Sequence, residues 1–371
     1  MGNEIEKLQS VLQSDPSNFQ ARRELSILLA DSGFNEEALS NLQYLVKYFP
    51  EDAELQYNIG ILYEKLKDFA KAKKAYQKAI KISPQADFYY NLGEVLVTLK
   101  EWDDAIESFK TVLKTDSKDG NCYFNLGLCY YNKDEINLAT DNFQQAVTLN
   151  PQDIFAHFYL GYIYQSKGLT NFAIESYKKV LAISPDYSWA YFNLASIAYK
   201  NDNLEEAKEY LQKTIVCNDG DIEAYKLLTK ICLRENEIEE IIIILETRLE
   251  KEDNGDLYYI LAQVYKHVGK VEEYINNLKL ALQNPLTLSY PQEVVRNEYS
   301  ISKSKNNLEV DEVEEYSTPL EEQVEENSAS GDGDFDSEDD EIEEENFDDE
   351  EDEEFEDEDL SSDYDESEED E

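Results

Sequence analysis

The sequence predicts an all-α chain: a solenoid of antiparallel helix pairs followed by a disordered acidic C-terminal tail. Two observations carry this prediction. Small residues recur at a near-constant interval, with Gly60, Gly93, Gly127, Gly161 and Ala195 spaced 33, 34, 34 and 34 residues apart, and self-similarity at such a period belongs to stacked supersecondary units. The charge is also lopsided. Residues 311–371 hold 36 Asp and Glu and no Lys or Arg, so this segment carries −36 of the formal −50 and leaves −14 on residues 1–310. A segment of that composition cannot bury enough apolar surface to offset chain entropy and self-repulsion.

Three stretches align directly: YNIGILYEKLKDFAKAKKAYQKAIKISP from Tyr57, YNLGEVLVTLKEWDDAIESFKTVLKTDS from Tyr90 and FNLGLCYYNKDEINLATDNFQQAVTLNP from Phe124. Leu92, Leu126, Leu160 and Leu194 precede the small residue, and Tyr63, Tyr130 and Tyr164 follow it by three. A second small site holds Ala72, Ala105, Ala139, Ala173 and Ala207; Tyr76, Phe109, Phe143 and Tyr177 come four later, and Pro84, Pro151 and Pro185 close units. Paired small residues let two antiparallel helices approach closely, and the aromatics fill the space beside them. Proline, lacking an N–H, ends the second helix. This period and order of residues resemble the tetratricopeptide repeat (TPR) family. The resemblance implies a right-handed TPR superhelical solenoid, with a concave groove lined by the first (A) helix of each pair.

The register predicts a capping helix over 3–18 and eight units over 19–286, beginning near Phe19, Ala53, Ala86, Gly120, Ile154, Ser188, Ile222 and Gly255. Ser26 weakens the first unit, and Thr229, Ile241 and Arg248 make the seventh degenerate. A capping helix (Pro291–Tyr299) and linker are expected over 287–310, and the disordered tail over 311–371.

In the family, positions 2, 5, 6, 9, 12 and 13 of the A helix face the groove. Position 6 is Asn58, Asn91, Asn125 and Asn193, interrupted by Tyr159. This series resembles the asparagine ladder in the repeat domain of O-linked N-acetylglucosamine transferase. There an amide can both donate to and accept from the backbone of an extended peptide. The other reading is a short polar residue tolerated at an exposed position. Position 5 is aromatic in Tyr57, Tyr90, Phe124, Phe158, Phe192 and Tyr259, with Phe155, Trp189, Tyr131, Tyr162 and Tyr199 nearby. An aromatic stripe serves a groove or a core; here it is read as a groove suited to apolar, aromatic or proline-containing segments. Aromatic residues at position 5 exclude the lysine-based clamp with which some relatives hold acidic C-termini. In the seventh unit Lys226, Lys230 and Arg234 fall on one helix face, as an anion-binding patch or a solvated basic face.

No catalytic constellation, phosphate loop or metal-spaced cluster is present, so neither enzyme activity nor a cofactor or metal is expected. The histidines, His157 and His267, lie in different repeats, with His157 expected in the groove. Cys122, Cys129, Cys217 and Cys232 form no CxxC pair and read as small buried thiols of a reducing compartment, with a cytoplasmic location expected, or a nuclear one in a eukaryote. Glu4 and Glu6 stand where a leader would be basic, and the longest aliphatic run, Ile241–Leu245, is too short to span a bilayer. The acidic charge disfavours nucleic acid. The chain therefore reads as a non-catalytic scaffold or adaptor for a protein or peptide partner. The alternative is an acidic escort chaperone for a highly basic client, engaged by a tail that places Phe335, Phe347, Phe355 and Tyr364 among its carboxylates.

Overall fold

The computed structural model describes residues 2–305; the acidic tail over 311–371 lies outside them. The described residues are all-α. After α1 (Gly2–Ser14) come eight antiparallel pairs: α2 (Phe19–Asp31) with α3 (Asn35–Val46), α4 (Ala53–Lys65) with α5 (Phe69–Ile82), and α6 (Ala86–Thr98) with α7 (Trp102–Thr115). They continue with α8 (Gly120–Asn132) and α9 (Ile136–Leu149), α10 (Ile154–Ser166) and α11 (Thr170–Ile183), and α12 (Ser188–Lys200) and α13 (Leu204–Cys217). The last two are α14 (Ile222–Arg234) with α15 (Ile238–Leu249) and α16 (Gly255–His267) with α17 (Val271–Gln283). A 3₁₀ turn at Pro285–Thr287 leads into α18 (Gln292–Lys305), which buries Val295 and Tyr299 against the last pair.

Local chemistry sets the helix ends. Asn18, Asp52, Asp119, Asp153, Asp221 and Asn254 precede A helices, and each side chain accepts from the N–H three residues on. Each A helix ends on a residue in the left-handed region. Three units use Gly33, Gly168 or Gly269, and the others Lys67, Lys100, Asp134, Asp202 or Asn236, with φ between 58° and 60°. The next N–H reaches back five residues, as from Asp68 to Tyr63 O (2.8 Å), which closes the turn.

Packing within a pair follows one rule. The small residue of the A helix lies under the side chain sixteen positions later on the B helix. A methyl group added to Gly93 would lie 2.7 Å from Phe109, to Gly127 2.6 Å from Phe143, and to Gly161 2.7 Å from Tyr177; Gly60 is equally crowded by Tyr76. Where the B-helix residue is Leu42, Leu211, Leu245 or Leu278, the A-helix residue is larger: Ser26, Ala195, Thr229 or Ala262. A flat ring needs glycine beneath it, whereas a leucine leaves room for a side chain.

Neighbouring A helices touch one another at α6/α8, α10/α12 and α14/α16, while no neighbouring B helices touch to that extent. The A helices thus form one continuous face. The seventh unit breaks the pattern, because α15 lies on α14 far less extensively than any other B helix lies on its partner. Thr229 and Ile241 occupy its two close-approach positions, both buried, and Thr229 is the largest residue at the A-helix site in any unit.

Candidate functional site

The A face brings the predicted groove residues together, but commits many of them to structural contacts. The position-5 rings turn inward. Tyr57 lies 5.7 Å from Tyr76, Tyr90 5.8 Å from Phe109, Phe124 5.7 Å from Phe143 and Phe158 5.8 Å from Tyr177. Each pairs with the same B-helix ring that rests on glycine. Phe158, expected in the groove, is only 4 % exposed and belongs to the core, while Tyr57, Tyr90, Phe124 and Phe192 are half-buried. Close approach of the helices draws position 5 between them, so the stripe is first a packing feature.

The asparagines also bond within the solenoid. Asn91 Nδ2 donates to the Tyr57 hydroxyl (3.0 Å) and Asn125 Nδ2 to that of Tyr90 (3.4 Å), each a bond from one unit to the one before. Where the preceding ring lacks a hydroxyl, the pattern changes. After Phe124 the position is Tyr159, whose ring stacks 5.0 Å from Phe143. After Phe158, Asn193 donates instead to the Trp189 carbonyl of its own helix (2.8 Å) and is buried. Asn58 follows Arg23 rather than a tyrosine. In Asn91 and Asn125 the carbonyl oxygen and the second N–H are not needed for this strut, so an amide can serve both neighbour and peptide.

The exposed aromatic residues of this face lie at position 2 of the fifth and sixth units, while the aliphatic Ile27, 58 % exposed, stands at position 9 of the first. Phe155 is 53 % and Trp189 46 % exposed. The same position holds Gln20, Glu54, Asp87, Asn121, Glu223 and Asp256 elsewhere. Phe155 lies 6.4 Å from Phe124, and the half-buried rings of Tyr131 and Tyr162 lie 6.3 Å from each other. To the N-terminal side, burial raises the Glu64 carboxyl above its ordinary range, against the opposing hydrogen bond from Tyr76.

The basic stripe is assembled but largely engaged. Lys226 Nζ lies 2.7 Å from Glu223 and 4.9 Å over Tyr290; Arg234 lies 2.5 Å from Asp202 of the preceding unit; Lys230 lies 5.7 Å over Tyr199. The anion-binding potential expected of the three is thereby reduced. Tyr290, which also packs 4.3 Å from Tyr259, went unanticipated. Its cue is an aromatic residue just before Pro291, beyond the last repeat.

No reactive constellation forms among the described residues. His157 is buried, 6 % exposed, with Nε2 3.2 Å from the Pro151 carbonyl, rather than open to a groove as expected. Burial pushes the Cys129 and Cys232 thiols up to about 12, which makes them poor nucleophiles at neutral pH. Glu205, Glu235 and Glu237 bring carboxylate oxygens within 4.8 Å of one another. Lys208 Nζ, 2.8 Å from Glu237 and 3.0 Å from Glu205, already supplies the cation there. No described helix is long and apolar enough to cross a membrane.

Stacked helix pairs that present one continuous side-chain face define a helical-repeat scaffold for protein partners. Residues 23–87, 86–119, 120–153 and 166–231 each match a family model described as tetratricopeptide repeat, and the chain belongs to that family. It is similar to ER membrane protein complex subunit 2-A of Xenopus laevis, 32 % identical over 80 residues, or 22 % of this chain and 27 % of that one. It thus matches about a quarter of that relative's length. Among solved structures it resembles MamA (residues 41 to the end) of Desulfovibrio magneticus RS-1, 27 % identical, covering 46 % of this chain and 97 % of that one at a TM-score of 0.44. It also resembles yeast Tom70, 15 % identical, covering 74 % of this chain and 60 % of that one at a TM-score of 0.47.

Proposed function

We propose that this scaffold holds an extended peptide segment of a partner protein along its A face, with the central units as the anchor. The observation that carries this reading is the exposure of Phe155 and Trp189 at one position of consecutive units, where the other units are polar. Rigid aromatics contribute large contact area at low entropic cost. The free groups of Asn58, Asn91 and Asn125 can hold the peptide backbone. Each such bond adds only about 0.5–1.5 kcal/mol, whereas micromolar binding needs about 8 kcal/mol, so the aromatics must supply the larger share. The organisation proposed with it is a cap over 3–18, eight units over 19–286, a capping helix and linker over 287–310 and the tail over 311–371, in a cytoplasmic setting.

The test is an array of extended peptides rich in aromatic and proline residues, read by fluorescence of a Trp102→Phe protein in which Trp189 is the remaining tryptophan. Hits should shift the emission and lose at least tenfold in affinity with Phe155→Ala. Hits indifferent to Phe155→Ala, with unchanged emission, would refute anchoring there. The charge of −36 over residues 311–371 favours a second reading, escort of a highly basic client. Client capture would then weaken steeply between about 0.1 and 0.5 M salt, which screens such contacts, while groove peptides would not.

A further inference from the structure

The displaced α15 leaves a cleft of about 1030 Å³ between α13 and α15, on the B-helix side of the molecule. Its walls are Ile215, Val216, Ile238, Ile243 and Ile244, and Leu228 of α14 forms its floor. The volume lies at the upper end of the roughly 300–1,000 Å³ usual for small-ligand pockets. Val216 is 84 % and Ile243 62 % exposed, so this is an open trough rather than a closed cavity. A second depression, lined by Pro185, Tyr191, Val216 and Cys217, continues it around Val216. The run Ile241–Ile244 makes α15 apolar around its circumference, yet only Ile241 of that run is fully covered.

The rim has one sign. Glu237, Glu239 and Glu240 border the cleft and no Lys or Arg lines it. Of these three carboxylates Lys208 pairs with Glu237, and beside the second depression Glu209 is accompanied by Lys213, so the uncompensated acidic edge is that of the first cleft.

We infer that this cleft is a second docking site, and that it takes an amphipathic α-helix of a partner protein with a narrow aliphatic face and Lys or Arg on its flanks. Three arguments select this occupant. The walls are side chains of two helices and offer no sheet edge, so an extended guest would leave its backbone groups unpaired, whereas a helix satisfies its own. On α15 the lining runs from Ile238 to Ile244, roughly 9 Å at helical rise, or about two turns of a guest helix and room for aliphatic side chains at i, i+4 and i+7. The acidic rim favours a cationic flank and opposes the chain's own tail (−36) and a second copy (−50). The site is independent of the A face, so a partner held there and a helix held here could be bound at once.

The test uses the full chain with an environment-sensitive fluorophore on Cys217, the exposed cysteine, while Cys122, Cys129 and Cys232 are buried. The probe is a synthetic 18-residue helix with Leu at i, i+4, i+7 and i+11 and Lys on its flanks. One control scrambles the same composition to disperse the leucines, and another replaces each Lys with Glu. The tail attracts both cationic peptides alike, so the difference between patterned and scrambled peptides reads the cleft. Saturable binding of the patterned peptide, at least tenfold tighter than either control, is expected. Ile243→Gln should abolish that preference, as should Glu239→Lys with Glu240→Lys, and Phe155→Ala should leave it intact. Calorimetry on unlabelled protein should give the same ranking. Equal binding of patterned and scrambled peptides, or a preference that survives Ile243→Gln, overturns the proposal. So does a Cys217 signal that rises with protein concentration alone, which would make the occupant a second copy.

Discussion

Adding one methyl group to Gly127 should destabilise this protein, although the same change in an isolated helix would stabilise it. Glycine-to-alanine in a helix interior gains about 1 kcal/mol in propensity. Against that, the new carbon would lie 2.6 Å from Phe143, a ring with no exposed surface. Carbon contacts are comfortable at about 3.5–4.0 Å, so α8 and α9 must separate by roughly 1 Å. Overpacking of this kind costs about 1–3 kcal/mol, which leaves Gly127→Ala net destabilising by about 1 kcal/mol. The sign should reverse when the ring is removed. In Phe143→Leu protein the unit acquires the pairing seen at Ala195/Leu211 and Ala262/Leu278, and Gly127→Ala should then stabilise. Thermal midpoints by circular dichroism, with a change of a few degrees per kcal/mol, would read the four proteins of this cycle. Amide exchange in α8 and α9 would locate the effect, since a solenoid need not melt in one step. Gly127→Ala acting in the same direction in both backgrounds would refute the packing rule.

Asn91→Ala and Tyr57→Phe should each cost about 0.5–1.5 kcal/mol, and the double change little more than either alone; additive costs in denaturation would show that the 3.0 Å bond between them carries no stability. Asn58→Ala, with no tyrosine before it, should barely move the melting curve. His157 is held below its ordinary 6.5 chiefly by burial. Its contribution is therefore fully present above pH 6.5 and is lost as pH falls toward its depressed folded value, because the unfolded chain takes up the proton first. The thermal midpoint should drop between pH 7 and 5.5, and His157→Gln should flatten that dependence; an unchanged slope would refute the assignment. The Thr229 hydroxyl is buried without a hydrogen-bond partner, so Thr229→Val should stabilise by about 1 kcal/mol in thermal melts; a lower midpoint would mean the hydroxyl is satisfied.

The period was legible in the sequence because stacking demands it. Gly60, Gly93, Gly127 and Gly161 mark where two backbones must meet, and a helix pair tolerates only certain side chains there. Composition likewise isolated residues 311–371, since charge density needs no neighbours to be read. What lies across each helix face was not legible, because it depends on how one unit crosses the next. Helical periodicity placed Asn91 and Tyr57 on the A face, but the crossing brought them within 3.0 Å of each other. The same crossing carried Phe158 and His157 into the interior and set Asp202 against Arg234, 32 residues away. Degeneracy in the seventh unit was visible as Thr229 and Ile241. That a cleft lies beside this unit followed from the room the neighbouring helix α13 left beside α15. Local pattern determines which surfaces a helix offers, and the tertiary arrangement alone decides which of them remain uncovered.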